Sequence, residues 1–401
     1  MATQTVLSAT GNQMVAEAYR QADPDVLTAY PITPQTTIVE GFAKFVAQGR
    51  VHTEYVTVES EHSSMSACIG SAQAGARTFT ATSSQGLVYM FEELHIAAGM
   101  RLPIVMANAN RAISVPLNIH CDHSDAMSAR DTGWLQMYAE TAQEAYDNTI
   151  IAVRVAEDHR ILLPVMTCLD GFITTHSMER CELMDDATAK AFLGQRDPVY
   201  PLLDTANPVA AGMFCDQNTY FEMHKVLRDA VAAAKPAFKE IGDEWAGICG
   251  RPFDFVDAWG CEDADYVIVI VGSAAGNARH VARELRAADV KAGVARIRVF
   301  RPFPAEELVA ALAGAKAVAV LDRSENFGGQ YAPVGLEVAT ALYNAHESIP
   351  LKNYVYGLGG HDVTLGQMQL VYEDLQKLAA GQLDGGVEYL GNRGGRVVSN
   401  G

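Results

Sequence analysis

The stretch that decides the fold is residues 53–86, TEYVTVESEHSSMSACIGSAQAGARTFTATSSQG. It opens with a β-rich run at 55–58 and closes with a second one at 78–82, and the residues between them are mostly small. Small side chains let the backbone of a neighbouring element approach closely, as happens for a helix packed deep in a core. The stretch therefore predicts a strand, a helix and a second strand, the unit from which parallel α/β sheets are built.

Two carboxylates, Glu59 and Glu61, stand where the first strand of this unit gives way to the helix. Ligands of open α/β sheets bind beyond the carboxyl ends of the strands. Glu61 leads a helix that is too apolar for a solvated acid. It is either a carboxylate that favours the helix dipole, worth about 0.3–1 kcal/mol, or a buried acid that must be paired or hold its proton. The stretch alone leaves both interpretations open.

The composition narrows the class of protein. The chain has 401 residues, with 30 basic and 48 acidic side chains and a net charge of −18. This balance argues against a general nucleic-acid binder, because affinity for phosphate backbones comes from clustered Lys and Arg. The first residues lack the pattern of a signal peptide, and no run is apolar and long enough to span a bilayer. We therefore expect a cytoplasmic protein with no membrane partner.

The cysteines are scattered. There are seven, and no two have the C-x-x-C spacing. An odd count without grouping argues against a disulfide framework. Iron–sulfur clusters need grouped thiolates, so we expect that this chain alone binds no cluster.

The order of predicted elements suggests two α/β units. Strands and helices alternate through the first half, which is typical of a parallel sheet covered on both faces. We expect an α/β domain at 1–183, an extended connecting segment at 184–260 that contains a helix at 220–234, and a second α/β domain at 261–383. A Gly-rich and loosely ordered tail is expected at 384–401.

The second unit begins with a continuous apolar strand at 266–271, and a later strand is predicted at 294–299. The turn at 272–276 is glycine-rich, but its spacing is not G-x-G-x-x-G. We interpret it as a plain strand–helix turn, which argues against a free-standing NAD-dependent dehydrogenase.

A long polar loop at 108–131 follows a buried strand at 103–107. Loops after parallel strands are where functional sites collect. Arg111 suits a substrate carboxylate, because a guanidinium group can hold a carboxylate through two hydrogen bonds. The alternative is a structural ion pair with an aspartate of the same loop.

The same loop carries side chains that suggest a metal site: His120, Asp122, His123 and Asp125. Adjacent His and Asp residues rarely converge on one ion. We therefore assign no metal and expect internal hydrogen bonds instead.

Thr33 lies in residues 30–34, YPITP, just after a predicted strand. The two prolines push the residues before them out of the helical region and stiffen the turn. Alone, this segment reads as an ordinary strand–helix connection.

Several motifs occur together in an order found in a known family: residues 30–34, 59–61, 80–86, 110–112, 122–125 and 298–304. Together they resemble the α subunit of 2-oxoacid:ferredoxin oxidoreductases of the pyruvate:ferredoxin oxidoreductase type, over nearly the whole chain. The resemblance implies a thiamine diphosphate-binding domain of the pyrimidine type, with a parallel sheet, followed by a transketolase C-terminal-like α/β domain.

The resemblance also implies an activity. Such enzymes decarboxylate a 2-oxoacid, transfer the acyl group to coenzyme A and pass electrons to iron–sulfur clusters. Thiamine diphosphate is shared with a partner subunit. Its diphosphate site, Mg²⁺ and the [4Fe-4S] clusters belong to β-, γ- and δ-type sister subunits, so the chain is expected to be active only with them.

Site residues are implied in the same way. Glu61, rather than Glu59, aligns with the family's glutamate, the acid that acts on the pyrimidine ring nitrogen. Thr33 and Arg111 align with residues that bind the 2-oxoacid. The remaining cofactor contacts are expected from Ser84, Gln85 and Gly86.

The substrate is less narrowly implied. Pyruvate is the first expectation, yet residues 118–121 (NIHC) stand where pyruvate-type chains often carry a bulky aromatic residue. A wider pocket favours a branched or aryl 2-oxoacid, such as phenylglyoxylate giving benzoyl-CoA. A non-catalytic scaffold paralogue is the alternative of another class, although a scaffold has no reason to keep Glu61, Thr33 and Arg111 together. The electron acceptor, ferredoxin or NAD through another subunit, and the number of subunits stay open.

Overall fold

The structure is a computed structural model, and it describes residues 3–394. Its strands are β1 Gln4–Ala9, β2 Val26–Ala29, β3 Glu54–Thr57, β4 Thr78–Thr82, β5 Ile104–Asn110, β6 Leu135–Ala139, β7 Val165–Asp170, β8 Glu179–Met184, β9 Val256–Trp259, β10 Tyr266–Val271, β11 Ala292–Ile297, β12 Val299–Arg301, β13 Ala317–Asp322, β14 Leu351–Val355 and β15 Gly386–Tyr389. Its α-helices are α1 Gly11–Ala22, α2 Thr36–Ala47, α3 Glu61–Ala74, α4 Gln85–Tyr89, α5 Phe91–Gly99, α6 Ser124–Ser128, α7 Ala142–Glu157, α8 Asp186–Leu193, α9 Gln217–Cys249, α10 Ala275–Ala287, α11 Ala305–Leu312, α12 Pro333–Asn344 and α13 Leu365–Ala379.

The first sheet has the strand order β12-β6-β7-β5-β4-β2-β3. All its neighbours are parallel except β12, which runs antiparallel to β6. Every residue of β4, β5 and β7 is buried. Parallel strands covered on both faces have this property, so the prediction of an α/β fold is confirmed.

The second sheet has the order β15-β14-β13-β10-β11-β9, and only β9 is antiparallel to its neighbour. Its central strand β10 reads YVIVIV and is buried over all but its first residue. Helices α10 and α13 pack together on this sheet and enclose a second hydrophobic core.

The predicted single strand at 294–299 is wrong. The chain leaves β11 in the second sheet and enters β12 in the first, with Arg298 between them. Arg298 donates from Nε to Asn148 Oδ1 at 2.8 Å, and Arg296 makes two hydrogen bonds to Glu144 on α7 at 2.7 and 2.9 Å. These buried pairs hold the two sheets together. They join residues about 150 positions apart in sequence, which a local pattern cannot reveal.

The strand–helix–strand prediction for residues 53–86 is confirmed by β3, α3 and β4. Ser60 caps α3, since its hydroxyl accepts a hydrogen bond from Ser63 N at 3.1 Å. Gly75 ends the helix with φ at +107°, a conformation that favours glycine. These local signals place Glu61 in the first turn of α3, at the carboxyl end of β3.

The connecting segment contains a longer helix than predicted. Helix α9 runs from Gln217 to Cys249 and continues through Pro236. The predicted end at 234 falls before this proline, which disfavours helix at the preceding residue. Buried residues beyond it, including Phe238 and Trp245, pack on the first domain and outweigh that local cost.

The tail expectation is wrong for Gly386–Tyr389, because these residues form β15 parallel to β14. The last seven residues of the expected tail, 395–401, lie outside the described residues. Among residues 3–394, no helix combines the length and the apolar character needed to cross a membrane.

Candidate active site at the carboxyl ends of the first sheet

Glu61 is the acid at the end of β3, and its side chain is buried, with 8% of the residue exposed. Within the described residues, no hydrogen bond or ion pair joins its carboxyl group to another residue. Burial raises the pKa of this carboxyl above its usual value of 4.5. Of the two interpretations of the sequence, the geometry favours a buried acid prone to hold its proton.

Glu59 behaves differently. Its side chain is exposed and accepts a hydrogen bond from Ser63 Oγ at 2.5 Å. This hydrogen bond lowers the pKa of Glu59. Of the two acids, only Glu61 combines burial with a raised pKa.

Gly86 lies against Glu61. A Cβ atom built at Gly86 would lie 2.7 Å from Glu61 Oε1 and 2.6 Å from Thr82 Oγ1, closer than real contacts allow. The missing side chain therefore leaves the room that the Glu61 carboxyl occupies.

The turn before Gly86 connects this acid to the polar loop. Ser84 has φ at +52°, its N donates to Asp125 Oδ2 at 2.9 Å, and its hydroxyl donates to Ala112 O at 2.5 Å. Gln85 Oε1 lies 2.6 Å from the same Ser84 Oγ and competes with Ala112 O for its single hydrogen. The buried Gln85 Nε2 has no hydrogen-bond partner within the described chain, so this donor is available to a ligand.

Arg111 follows β5 and is also buried, with 7% exposed. Its Nε donates to Asn118 O at 3.0 Å and its Nη1 donates to Thr33 O at 2.9 Å. Across the described residues, no carboxylate lies within ion-pair distance of its guanidinium group. Burial lowers the pKa of Arg111, since the charged form is partly desolvated. The alternative of a structural ion pair is therefore not what the chain forms.

Asp125 is an aspartate of the same loop that could have paired with Arg111, but its carboxylate binds mainly backbone N–H groups instead. It accepts hydrogen bonds from Ser84 N, Arg111 N, Asn110 Nδ2 and Ala126 N at 2.7–3.1 Å. It is fully buried, and burial raises its pKa. Asp125 thus fixes the turn at Ser84 relative to the start of the Arg111 loop. The expectation of internal hydrogen bonds in this loop is confirmed, although the sequence does not predict which backbone groups Asp125 binds.

Thr33 sits on a well-anchored loop. Asn12 Nδ2 donates to Pro34 O at 2.8 Å, and the Pro34 ring packs against Gly171, where a Cβ would lie 2.9 Å from Pro34 Cγ. The Thr33 side chain is exposed and makes no hydrogen bond inside residues 3–394. Its carbonyl already binds Arg111, so these two predicted residues lie together.

The six predicted residues are linked by successive contacts. Glu61 lies against Gly86, which follows the Ser84–Gln85 turn. This turn binds the Arg111 loop at Ala112, and Arg111 in turn binds Thr33. They come from four separate connections of one sheet. Its shared carboxyl edge brings them together.

Asp170, at the end of β7, is a buried acid to which the sequence assigns no role. Asp170 Oδ1 lies 2.7 Å from His123 Nε2, and its Oδ2 accepts from Arg323 Nη1 at 3.0 Å and from Ser273 Oγ at 2.5 Å. Although burial acts in the opposite direction, His123 and Arg323 hold its pKa well below the usual range. Asp-Gly at a strand end was the local signal, but Arg323 lies 153 positions away.

A metal is not assigned to this cluster. Cys121, His123 and Asp170 offer ligand atoms within 4.8 Å of one another. However, the Arg323 guanidinium already neutralises Asp170, and a second cation beside it would be repelled. The arrangement is an ion pair across the two sheets.

Comparison with known families decides the assignment. Residues 17–243 match the family model described as "Pyruvate flavodoxin/ferredoxin oxidoreductase, thiamine diP-bdg", and residues 264–368 match "Pyruvate:ferredoxin oxidoreductase core domain II". The chain belongs to this family. It is an α-type subunit of a thiamine diphosphate-dependent 2-oxoacid:ferredoxin oxidoreductase of the pyruvate type.

Curated relatives agree. The chain is 50% identical over 92% of its length to the pyruvate synthase subunit PorA of Thermotoga maritima, of which it covers 94%. It is 44% identical over 92% of its length to PorA of Methanocaldococcus jannaschii, with 94% of that relative covered. The ketoisovalerate oxidoreductase subunit VorA of Pyrococcus abyssi is 42% identical over 94% of this chain and 96% of its own length.

Solved structures share the fold. A 2-oxoglutarate:ferredoxin oxidoreductase from Magnetococcus marinus superposes with a TM-score of 0.72 at 19% identity, and covers 93% of this chain. This chain spans 65% of that longer one. A split-gene transketolase superposes with a TM-score of 0.54 at 14% identity, over 93% of this chain and 98% of its own. The predicted pyrimidine-type and transketolase C-terminal-like folds are confirmed.

The residues present fit the pyrimidine end of thiamine diphosphate. Three features lie side by side. Glu61 offers a buried carboxyl group without a protein partner, and Gly86 lacks the Cβ that would collide with it. Gln85 offers a buried amide donor without an acceptor. A protonated carboxyl and an amide N–H both donate, so a ring nitrogen that accepts hydrogen bonds is the kind of group they can bind.

Proposed function

We propose that this chain supplies the pyrimidine side of a thiamine diphosphate site and the carboxylate site for the substrate. The complete enzyme would oxidatively decarboxylate pyruvate to an acyl-CoA and CO₂. The observation that carries the proposal is the buried Arg111 guanidinium, which within the described residues is held by two carbonyl oxygens rather than by a carboxylate. Its remaining N–H groups are available to an anionic substrate. Relatives named pyruvate synthase subunits support pyruvate.

Glu61 is the proposed catalytic acid. Thiamine diphosphate, when bound, supplies the carbanion chemistry, and the protein supplies orientation and proton handling. Burial favours the protonated Glu61 carboxyl, so this group can share a proton with a ring nitrogen placed against it. Gly86 leaves the space for that contact, while Ser84 and Gln85 set the direction of the turn.

Arg111 and Thr33 are the proposed substrate residues. Because Arg111 donates to Thr33 O, the two are fixed relative to each other before any ligand arrives. The Thr33 hydroxyl is then free to donate to the 2-oxo group while the guanidinium holds the carboxylate. This division orients the bond that is to be broken.

We further propose that β-, γ- and δ-type sister subunits hold the diphosphate, its Mg²⁺ and the [4Fe-4S] clusters, and that the assembly is cytoplasmic. In support, the seven free cysteines of this chain do not group into a cluster-binding set within the described residues. The domain division at 1–183, 184–260 and 261–383 belongs to the same proposal, with the cofactor and substrate residues all in the first domain.

A branched 2-oxoacid is the second candidate substrate. VorA relatives named for ketoisovalerate are about as similar to this chain as several PorA relatives. Residues 118–121 carry no bulky aromatic side chain of their own. An aromatic side chain from another segment lies beside them, since the rings of His120 and Phe172 are 5.3 Å apart. The aryl alternative, phenylglyoxylate, has no support from these relatives.

The test is reconstitution. The chain is assembled with its sister subunits, and 2-oxoacid- and CoA-dependent reduction of ferredoxin is measured with pyruvate, 2-oxoisovalerate and phenylglyoxylate. We expect the highest kcat/KM for pyruvate, and no turnover when this chain is omitted. Turnover by the other subunits alone would support the scaffold alternative. Preference for another 2-oxoacid would refute pyruvate while leaving the site intact.

A further inference from the structure

A glycine turn of the second domain lies directly on the loop that carries Arg111. Gly357, Gly359 and Gly360 follow β14 and have φ of +62°, +58° and +80°. L-residues rarely adopt this region, so the turn depends on glycine for its backbone shape. The turn is distant in sequence from the active-site loop, and the family motifs do not include it.

Hydrogen bonds join the turn to the loop. Asn118 Nδ2 donates to Gly359 O at 3.0 Å, Gly359 N donates to Asp122 Oδ2 at 3.1 Å, and Gly360 N donates to Cys121 O at 2.7 Å. The loop residues at 118, 121 and 122 are thus bound by two consecutive glycines. The contact is a specific docking of one domain on the loop of the other.

The fit leaves no room for side chains on the turn. A Cβ at Gly359 would lie 2.5 Å from Asn118 Nδ2, and a Cβ at Gly360 would lie 2.4 Å from His120 Cβ. Both distances are shorter than real Cβ contacts. An alanine at Gly360 must therefore move the loop at His120, whereas an alanine at Gly359 must move the side-chain amide of Asn118.

The docked segment is the one that holds the guanidinium group. Arg111 Nε donates to the backbone oxygen of Asn118 at 3.0 Å. The Asn118 side chain donates from Nδ2 to Gly359 O at 3.0 Å and accepts from His120 N through Oδ1 at 2.6 Å. His120 O in turn accepts from Ala112 N at 3.0 Å, next to Arg111. A displacement that moves the Asn118 carbonyl is therefore passed to Arg111 within one hydrogen bond.

We propose that the Gly357–Gly360 turn is a positioning element of the active site. Gly359, through Asn118, fixes the Arg111 guanidinium that receives the 2-oxoacid carboxylate. Gly360 sets the place of His120 and with it the limit on acyl size. The inference rests on the proposed role of Arg111 and extends it, since it makes the second domain part of the substrate site.

The experiment uses Gly359→Ala and Gly360→Ala in the assembled enzyme, with Gly381→Ala as the matched control. Gly381 also has positive φ, +68°, but a Cβ there meets nothing within 4 Å. The control thus carries the backbone strain without the collision. Steady-state kinetics with pyruvate and 2-oxoisovalerate, and the melting temperature of each assembly, are the readouts.

We expect Gly359→Ala to raise KM for both substrates about tenfold, the size of one weakened charged hydrogen bond, with kcat changed far less. Gly360→Ala should raise the KM for pyruvate and change the ratio of kcat/KM between the two substrates. Gly381→Ala should leave KM and the ratio as in the wild type. His120→Gly added to Gly360→Ala removes the colliding atoms and should restore the KM for pyruvate.

Two outcomes overturn the inference. One is a pair of glycine variants whose KM and selectivity match those of Gly381→Ala. The other is a loss of folding, or a rise in the pyruvate KM, in Gly360→Ala that His120→Gly does not relieve. Arg111→Lys separates this failure from failure of the proposed function. If Arg111→Lys raises KM while the glycine variants resemble the control, only the positioning role is refuted. If Arg111→Lys leaves KM unchanged, the proposed substrate role itself is refuted.

Discussion

Replacing Arg111 by lysine tests the substrate site with the charge kept. In the structure the guanidinium donates from Nε to Asn118 O and, through one Nη1 hydrogen, to Thr33 O. The Nη2 group and the second Nη1 hydrogen remain for a carboxylate. A lysine ammonium has three donors at one point, so it cannot hold two carbonyls and also grip a carboxylate with two parallel bonds.

The expected loss follows from those contacts. A hydrogen bond to a charged group contributes about 1.5–3 kcal/mol, and every 1.4 kcal/mol is tenfold. Arg111→Lys should therefore raise the KM for pyruvate by about tenfold to a hundredfold. The factor should be similar for 2-oxoisovalerate and phenylglyoxylate, because all three present the same carboxylate.

The assay is steady-state kinetics on the reconstituted enzyme. The exposed Arg180, whose partner is Glu182, provides the control Arg180→Lys, which should leave KM unchanged. Equal KM values for wild type and Arg111→Lys would refute the assignment. A fall in kcat alone would also refute it, because it would place Arg111 in the chemical step rather than in carboxylate binding.

The remaining predictions concern the clusters, the acyl pocket and the domain interface. The isolated chain should be colourless and contain no stoichiometric iron, as measured by visible spectroscopy and metal analysis; bound iron would show that cluster ligands were overlooked. His120→Trp should lower kcat/KM for 2-oxoisovalerate and phenylglyoxylate but spare pyruvate, and equal losses in steady-state kinetics would show that the loop does not select by size. Glu144→Gln should lower the free energy of unfolding at pH 7 by about 1.5–3 kcal/mol, as measured by chemical denaturation, because it removes one charged partner of the buried Arg296, which keeps its ion pairs to Glu140 and Asp257. Burial opposes the shift, but Arg296 lowers the pKa of Glu144 from 4.5 to about 2, so this contribution is present above pH 4.5 and lost as the pH falls towards 2; a difference that did not shrink on acidification would contradict the ion-pair origin.

The fold of the first domain was predictable because its signals are local. The β-rich runs around 53–86, the small residues of α3 and the cap at Ser60 all act within a few positions. The same holds for the apolar strand β10. Where local signals misled, tertiary packing decided: α9 continues past Pro236 because its buried face extends beyond that residue.

The crossing from β11 to β12 could not be predicted in this way. The two strands follow each other within residues 292–301, AGVARIRVFR, and no glycine, proline or other turn signal marks the change of sheet at Arg298. The change is stabilised by Asn148 and Glu144 on α7, far away in sequence.

The residues of the candidate site likewise differ in whether a local sequence signal or a contact between distant residues places them. Glu61, Thr33 and Arg111 stand at strand ends, where the topology of a parallel sheet indicates function. The groups that fix these residues carry no such signal. Asp125 is expected only to make internal hydrogen bonds in its loop, and the Gly359–Asn118 contact joins residues 241 positions apart. The sequence therefore predicts the residues that we propose face the ligand, but not the residues that fix their geometry.

The most direct test of the central claim measures proton exchange rather than turnover. In the assembled enzyme loaded with thiamine diphosphate, hydrogen–deuterium exchange at the thiazolium carbon is compared for wild type, Glu61→Gln and Glu59→Gln. Glu61 is buried with a raised pKa, and Glu59 is exposed and hydrogen-bonded to Ser63. We predict that Glu61→Gln slows exchange by about two to four orders of magnitude while Glu59→Gln exchanges at the wild-type rate. Exchange at the wild-type rate in an intact Glu61→Gln assembly would contradict the account and leave Glu61 a structural residue.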